Sequence, residues 1–231
     1  MIHNGADDNA SGTAALIELS KWVKKSAPST TNYLLVAFSG EELGLYGSKF
    51  FADHSPVDLK SINYMINMDM IGRLNDSTHG LTVGGFGTSP LWPEIIKTDD
   101  PYFKIKVDSA GSGPSDHTSF YRKDIPVLFF FTGTHMDYHK PSDDADKINY
   151  NGELAVINYI KKIIQYTSGK DKLAFTKTRE ASMGKSSFKV SLGIMPDYTF
   201  SGTGVLVDGV TDNRPAQKAG IKTGDVILQL G

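Results

Sequence analysis

The chain has 231 residues, 39% of them hydrophobic, with 24 Lys and Arg against 26 Asp and Glu for a formal net charge of −2, enough for one domain and a small second one. That balance offers no basic surface for nucleic acid, and no apolar run approaches the roughly 18 residues of a membrane span. Cysteine is absent, which excludes disulfides and thiolate metal sites and leaves carboxylates and imidazoles as metal-binding groups.

Residues 10–25 carry Ala15, Leu16, Leu19, Trp22 and Val23 at helical spacing, behind the capping candidates Asp8, Asn9 and Ser11. Residues 33–38 form a continuous apolar run, expected as a buried parallel strand. A helix is expected over 43–54, a strand over 62–68, and weaker strands over 81–84 and 103–107 around a helix near 91–98. A short helix near 115–122 precedes the apolar strand 125–132. Leu154, Ile157, Ile160 and Ile164 then mark a long closing helix. Helices alternating with buried strands predict an α/β fold, with a mostly parallel central sheet covered by helices on both faces. After a polar linker over 173–187, short β-like runs over 192–195, 204–210 and 225–230 predict a small all-β module. The resulting division is 1–172, 173–187 and 188–231. The polar opening and the strand pattern at the other end read as an internal piece of a longer protein, cut at both ends.

The acidic and histidine residues recur where strands end. Asp7-Asp8-Asn9 stands at a helix start, Glu41-Glu42 follows one apolar run, Asp69 follows another, and His135 and His139 follow a third. In an α/β sheet such positions converge outside the carboxyl ends of the strands. Clustered carboxylates repel one another and become costly when desolvated, so a divalent cation is expected among them. With Asp, Glu and His as donors, zinc suits best. Adjacent side chains leaving a strand point in different directions. One glutamate of the pair can therefore bind metal while its neighbour handles the proton of an attacking water. Taken singly, these residues have plainer readings: Asp7-Asp8-Asn9 as a helix N-cap, Glu41-Glu42 as a solvated helix start, Asp69 as a strand terminus, and His139 as a surface histidine. His135 reads as a loop or pocket residue, His54 and His79 as exposed, and Asp143, Asp144 and Asp146 as a solvated acidic patch.

The motifs GADDNASG (5–12), FSGEELGLYGS (38–48), INMDMIGR (66–73), SDHTSF (115–120) and DYHKPSDD (137–144) occur in this order. Together they closely resemble the co-catalytic di-zinc aminopeptidases of the bacterial leucyl aminopeptidase type, related to glutamate carboxypeptidase and glutaminyl cyclase. The resemblance covers residues 2–167 and implies a zinc-dependent exopeptidase acting on peptides with a free N-terminus. It implies two zinc ions per intact catalytic domain, with Asp8 bridging both, Glu42 and His139 on one, and Asp69 on the other. Glu41 is implied as general base and Tyr138 as a group stabilising the oxyanion. Asp7, Asp116 and His117 are implied as pocket or supporting residues rather than ligands. The chain departs from the family pattern in lacking the His-x-Asp motif upstream of GADDN, so the zinc on Asp69 lacks a histidine from this chain and the piece alone is expected to be of doubtful activity.

Residues 191–231 resemble the opening half of a bacterial PDZ domain, with Leu192, Gly193 and Ile194 corresponding to the loop that binds peptide carboxylates. By the same resemblance, a periplasmic or extracellular location is expected. Two other readings stand beside the aminopeptidase: a single-zinc glutaminyl cyclase, which would release ammonia, and a non-catalytic peptide-binding scaffold, against which the retention of Glu41, Glu42, Asp69 and His139 argues.

Overall fold

The computed structural model describes residues 2–178, 192–196, 203–210 and 213–229. In chain order its regular elements are α1 (Gly12–Ser26), α2 (Tyr46–Asp53), β1 (Met65–Met68), β2 (Gly80–Gly84), α3 (Trp92–Ile95), β3 (Lys104–Val107), α4 (His117–Tyr121), β4 (Val127–Phe131) and α5 (Tyr150–Thr167). These are followed by β5 (Ile194–Pro196), β6 (Val205–Val210), α6 (Pro215–Lys218) and β7 (Val226–Ile227). The main sheet runs β1-β4-β2-β3. β1 pairs with β4 and β2 with β3 in parallel, while β2 and β4 are antiparallel. The expected α/β class with a mostly parallel sheet is therefore what forms.

Successive residues of β1 and β4 point to opposite faces, as strand geometry requires. Ile66, Met68, Leu128 and Phe130 pack with Ala15 and Leu19 of α1 and with Val156, Ile160 and Ile163 of α5. Met65 and Val127 turn the other way, onto Phe120 and Tyr121 of α4 together with Phe38 and Phe51. Burial of each large side chain contributes about 1.5–3 kcal/mol, so the two layers clamp the sheet from both sides. The Asn149 side chain caps α5 by accepting the Gly152 N–H at 2.9 Å. Of the expected stripe of α5, Ile157, Ile160 and Ile164 pack into the core, whereas Leu154 is 47% exposed.

The apolar run 33–38 is not a strand. Such a run becomes one only with a ladder partner, and it has none among the described residues. Leu34 and Leu35 lie exposed, and Phe38 anchors the segment through its contacts with Phe51 and Phe120. A cleft of about 340 Å³ lies between Val36, Ala37 and Phe38 on one side and β1 on the other. The helix expected over 43–54 starts later, at Tyr46, because residues 41–45 form a turn in which Gly44 and Leu45 donate to the Glu41 carbonyl. The helix near 91–98 shortens to α3.

Residues 173–178 lie against the main domain: the Leu173 N–H donates to Asn63 Oδ1 at 2.8 Å and the Tyr121 hydroxyl to the Thr178 carbonyl at 3.0 Å. The rest of the expected linker, 179–187, and part of the all-β module after it, fall outside the described residues. What is described there is a small antiparallel sheet, β5-β6-β7. Leu192 and Gly193 directly precede β5, and Ile194 begins it; the Leu192 carbonyl accepts the Ala216 N–H at 2.9 Å. No helix among the described residues is long and apolar enough to cross a membrane.

Gly12 sets how closely α1 approaches β1. A Cβ there would stand 2.4 Å from the Met68 carbonyl oxygen and 2.5 Å from Asn9 Oδ1. The Asn9 side chain fills the junction, donating to the Met68 carbonyl at 3.0 Å and accepting the N–H groups of Gly12 (3.0 Å) and Met70 (3.3 Å). Gly12→Ala is expected to destabilise the domain by about 1–3 kcal/mol, the usual cost of overpacking, as measured by urea denaturation.

Candidate metal centre

Because β1 and β4 are parallel, their carboxyl ends share one edge of the sheet. Asp69 leaves β1 there, and the loop carrying His135, Tyr138 and His139 leaves β4 there. The turn that starts α1 and the turn after residue 38 bring Asp8, Glu41 and Glu42 to the same place. Asp8, Glu41, Glu42, Asp69 and Asp116 all line the cleft beside β1.

At its centre stand Asp8, Glu42 and His139, whose potential ligand atoms lie within 4.8 Å of one another. His139 Nε2 is 3.1 Å from Asp8 Oδ2 and 3.0 Å from Glu42 Oε1. One ring nitrogen carries at most one proton and cannot serve two carboxylates well. A cation among the three satisfies all of them, and two carboxylates with an imidazole make a donor set that zinc accepts. His139 has φ +57°, and its ring stacks on Tyr138 with centroids 3.8 Å apart.

The electrostatics follow from crowding. Burial, then the charges of Glu42 and Asp69, push Asp8 up to about 7. Burial, then Asp69, Glu42, Asp116 and Asp8, push Glu41 up to about 8. Glu41 thus stands apart from the Asp8–Glu42–His139 group yet within reach of its charge, and the adjacent glutamates occupy different surroundings. Asp69 is raised by burial, although Ser115 Oγ donates to its Oδ2 at 2.8 Å and is itself held by Asn67 Nδ2 at 2.7 Å. Tyr138 is pushed up to about 12 by burial and by the negative charges of Asp8, Glu42, Asp69 and Glu41. Its hydroxyl stays protonated and able to donate.

Asp7 is fully buried and is not among the clustered ligand atoms. It accepts the Gly72 N–H at 2.7 Å and faces His135 Nε2 at 3.1 Å. Asp116 is buried beside the cleft with Oδ1 lacking a hydrogen-bond partner and its carboxyl raised by burial. His117 is wholly inside, stacked on Phe129 with 9° between the ring planes, and burial holds it down at about 3.

Sequence reasoning missed Asp143. Expected as solvated surface together with Asp144 and Asp146, it is instead 1% exposed. Its Oδ2 accepts the amides of Asp7 (2.9 Å) and Asp8 (3.0 Å). Nothing in a run of three aspartates within four positions distinguishes the one that folds inward. Basic residues do reach the neighbourhood: Arg73 and Lys147 both pair with Asp137, beneath the loop rather than in the cleft.

Residues 1–164 match the description of peptidase family M28. The chain belongs to this family. It is 35% identical over 156 residues to aminopeptidase YwaD of Bacillus subtilis, an alignment covering 63% of this chain and 34% of that protein. With leupeptin-inactivating enzyme 1 of Streptomyces exfoliatus it shares 33% identity over 150 residues, covering 62% and 32%. Among solved structures, BSAP, a zinc aminopeptidase from Bacillus subtilis, superposes with a TM-score of 0.61 at 26% identity, over 74% of this chain and 43% of that one. The chain thus spans about a third of the length of these curated M28 relatives.

The neutral, buried His117 has a measurable consequence. Its pKa falls from 6.5 to about 3 on folding, so between those values the unfolded chain binds a proton that the folded protein does not. Stability from this group is complete above pH 6.5 and is lost as pH falls, by up to about 1.4 kcal/mol per pH unit. His117→Phe is expected to remove that component. The stability difference between parent and variant, from denaturation at pH 7.5 and 5, should change by more than 1 kcal/mol in the variant's favour at the lower pH.

Proposed function

We propose that this chain forms the larger part of a zinc aminopeptidase site that hydrolyses the first peptide bond of substrates with a free N-terminus. The observation carrying the reading is the Asp8–Glu42–His139 group, with ligand atoms within 4.8 Å of one another, beside a separate, partly buried Glu41. Membership of the M28 family and likeness to zinc aminopeptidases support it.

In this reading Asp8, Glu42 and His139 would hold one zinc ion, and Asp69 would help to hold a second beside Asp8. The chemistry zinc would supply there is Lewis acidity toward a substrate carbonyl and a water. Glu41, tuned upward by burial and neighbouring charge, takes the proton of the attacking water and later delivers it to the leaving amine. Tyr138, protonated throughout, donates to the oxyanion of the tetrahedral intermediate. Asp7, Asp116 and His117 support the walls. The residues after 188 are read as a PDZ-like module, with peptide C-termini as candidate ligands at Leu192, Gly193 and Ile194, and a periplasmic or extracellular site of action accompanies that reading.

The test is Glu41→Gln in purified protein extended upstream of residue 1, a form in which hydrolysis by the parent is measured first. Hydrolysis of leucine p-nitroanilide is expected to fall by about 10²–10⁴-fold, the usual contribution of a general base, with zinc content unchanged on elemental analysis. Glu42→Ala and His139→Ala should lose zinc. Full hydrolysis by Glu41→Gln would remove the proposed mechanism.

A further inference from the structure

The loop that delivers His139 also delivers Asp143. Three consecutive amides of the segment presenting Asp8 end on this one residue. The Ala6 N–H donates to its main-chain carbonyl at 3.1 Å. The Asp7 and Asp8 N–H groups donate to a single oxygen of its carboxylate, Oδ2, at 2.9 and 3.0 Å. These contacts join positions 135 and 136 residues apart in the chain. The second oxygen, Oδ1, is buried with no hydrogen-bond partner. Asp143 also lines a cavity of about 270 Å³ together with Asp8, Glu42 and His139.

We propose that Asp143 is a positioning residue for metal binding, locking the Asp8 turn and the His139 loop into one unit so that their separation is fixed before the ion arrives. The inference rests on the reading of Asp8, Glu42 and His139 as zinc ligands. A buried carboxylate is costly unless hydrogen-bonded, and a carboxylate accepting two N–H groups makes bonds roughly twice as strong as neutral ones. With both bonds on one oxygen, the Asp8 backbone cannot swing away from His139 without losing the pair. A lone scaffold role could be met anywhere along these loops, whereas this contact sits between two candidate ligands. Supporting residues of this kind typically change metal affinity by about 10–100-fold when removed.

The experiment compares parent, Asp143→Ala, Asp143→Asn and Asp8→Ala. Zinc affinity is read by competition with a chromophoric chelator, and coordination by the visible spectrum of the cobalt-substituted protein. Asp143→Ala is expected to bind zinc about 10–100-fold more weakly, with an altered cobalt spectrum. Asp143→Asn, which keeps an acceptor but not the charge, should fall between it and the parent. Zinc affinity within about threefold of the parent in both Asp143 variants, with an unchanged cobalt spectrum and only a lower melting temperature, would overturn the proposal and leave Asp143 a fold-stabilising residue. If Asp143→Ala does not fold, Asp143→Asn alone decides at the same threshold. Parent-like zinc binding by Asp8→Ala would instead overturn the ligand reading itself, and the positioning role with it.

Discussion

Asp8, Glu41, Glu42 and Asp69 stand close enough at one edge of the sheet for each carboxyl to feel the charge of its neighbours, while burial makes ionisation still harder for Asp8, Glu41 and Asp69. Two unit charges about 4 Å apart near a protein surface repel by roughly 4 kcal/mol, more than the ~1 kcal/mol net of an ordinary hydrogen bond. The loops holding these groups therefore need bracing from outside the cluster. Asp7 receives the Gly72 amide, Asp69 receives Ser115, and Asp143 receives the amides of Asp7 and Asp8. Close packing of α1 against β1 at Gly12 adds a mechanical stop.

The bracing is hierarchical. Asn67, at 9% exposure within β1, donates to Ser115, and Ser115 donates to Asp69. A strand residue thereby fixes the hydroxyl that orients a carboxylate at that strand's own end. On the other flank, Arg73 and Lys147 neutralise Asp137 and hold it well below the usual carboxylate range, with the Lys147 and Ser142 hydrogen bonds contributing most. That pins the base of the loop bearing Tyr138 and His139. Positive charge is thus spent on rigidity at a distance, leaving the cleft itself acidic.

Much of this was legible because its cause is local. Apolar runs such as 125–132 announce buried strands, and polar residues directly after them must lie at strand ends. That logic marks Asp7-Asp8, Glu41-Glu42, Asp69, His135 and His139 together, the family resemblance singles out Asp8, Glu42 and His139 as sharing one ion, and these three do meet in space. What escaped depends on partners distant in sequence. The run 33–38 has strand composition, but strand formation needs a ladder neighbour. Leu154 has helical spacing, yet how far the buried face of α5 extends is decided by side chains from α1, β1 and β4. Asp143 differs from Asp144 and Asp146 only in meeting two amides supplied from the other end of the domain. His135 was readable as a loop residue, but not as the partner of buried Asp7.

The edge of β1 facing away from β4 carries a further implication. β1 pairs with β4 alone among the described residues, and across the cleft from it lies the extended, unpaired run that exposes Leu34 and Leu35. Asn9 caps only one carbonyl of that edge. The carbonyl it satisfies is the last of β1, so the turn that carries Asp8 is tied directly to the strand whose end carries Asp69.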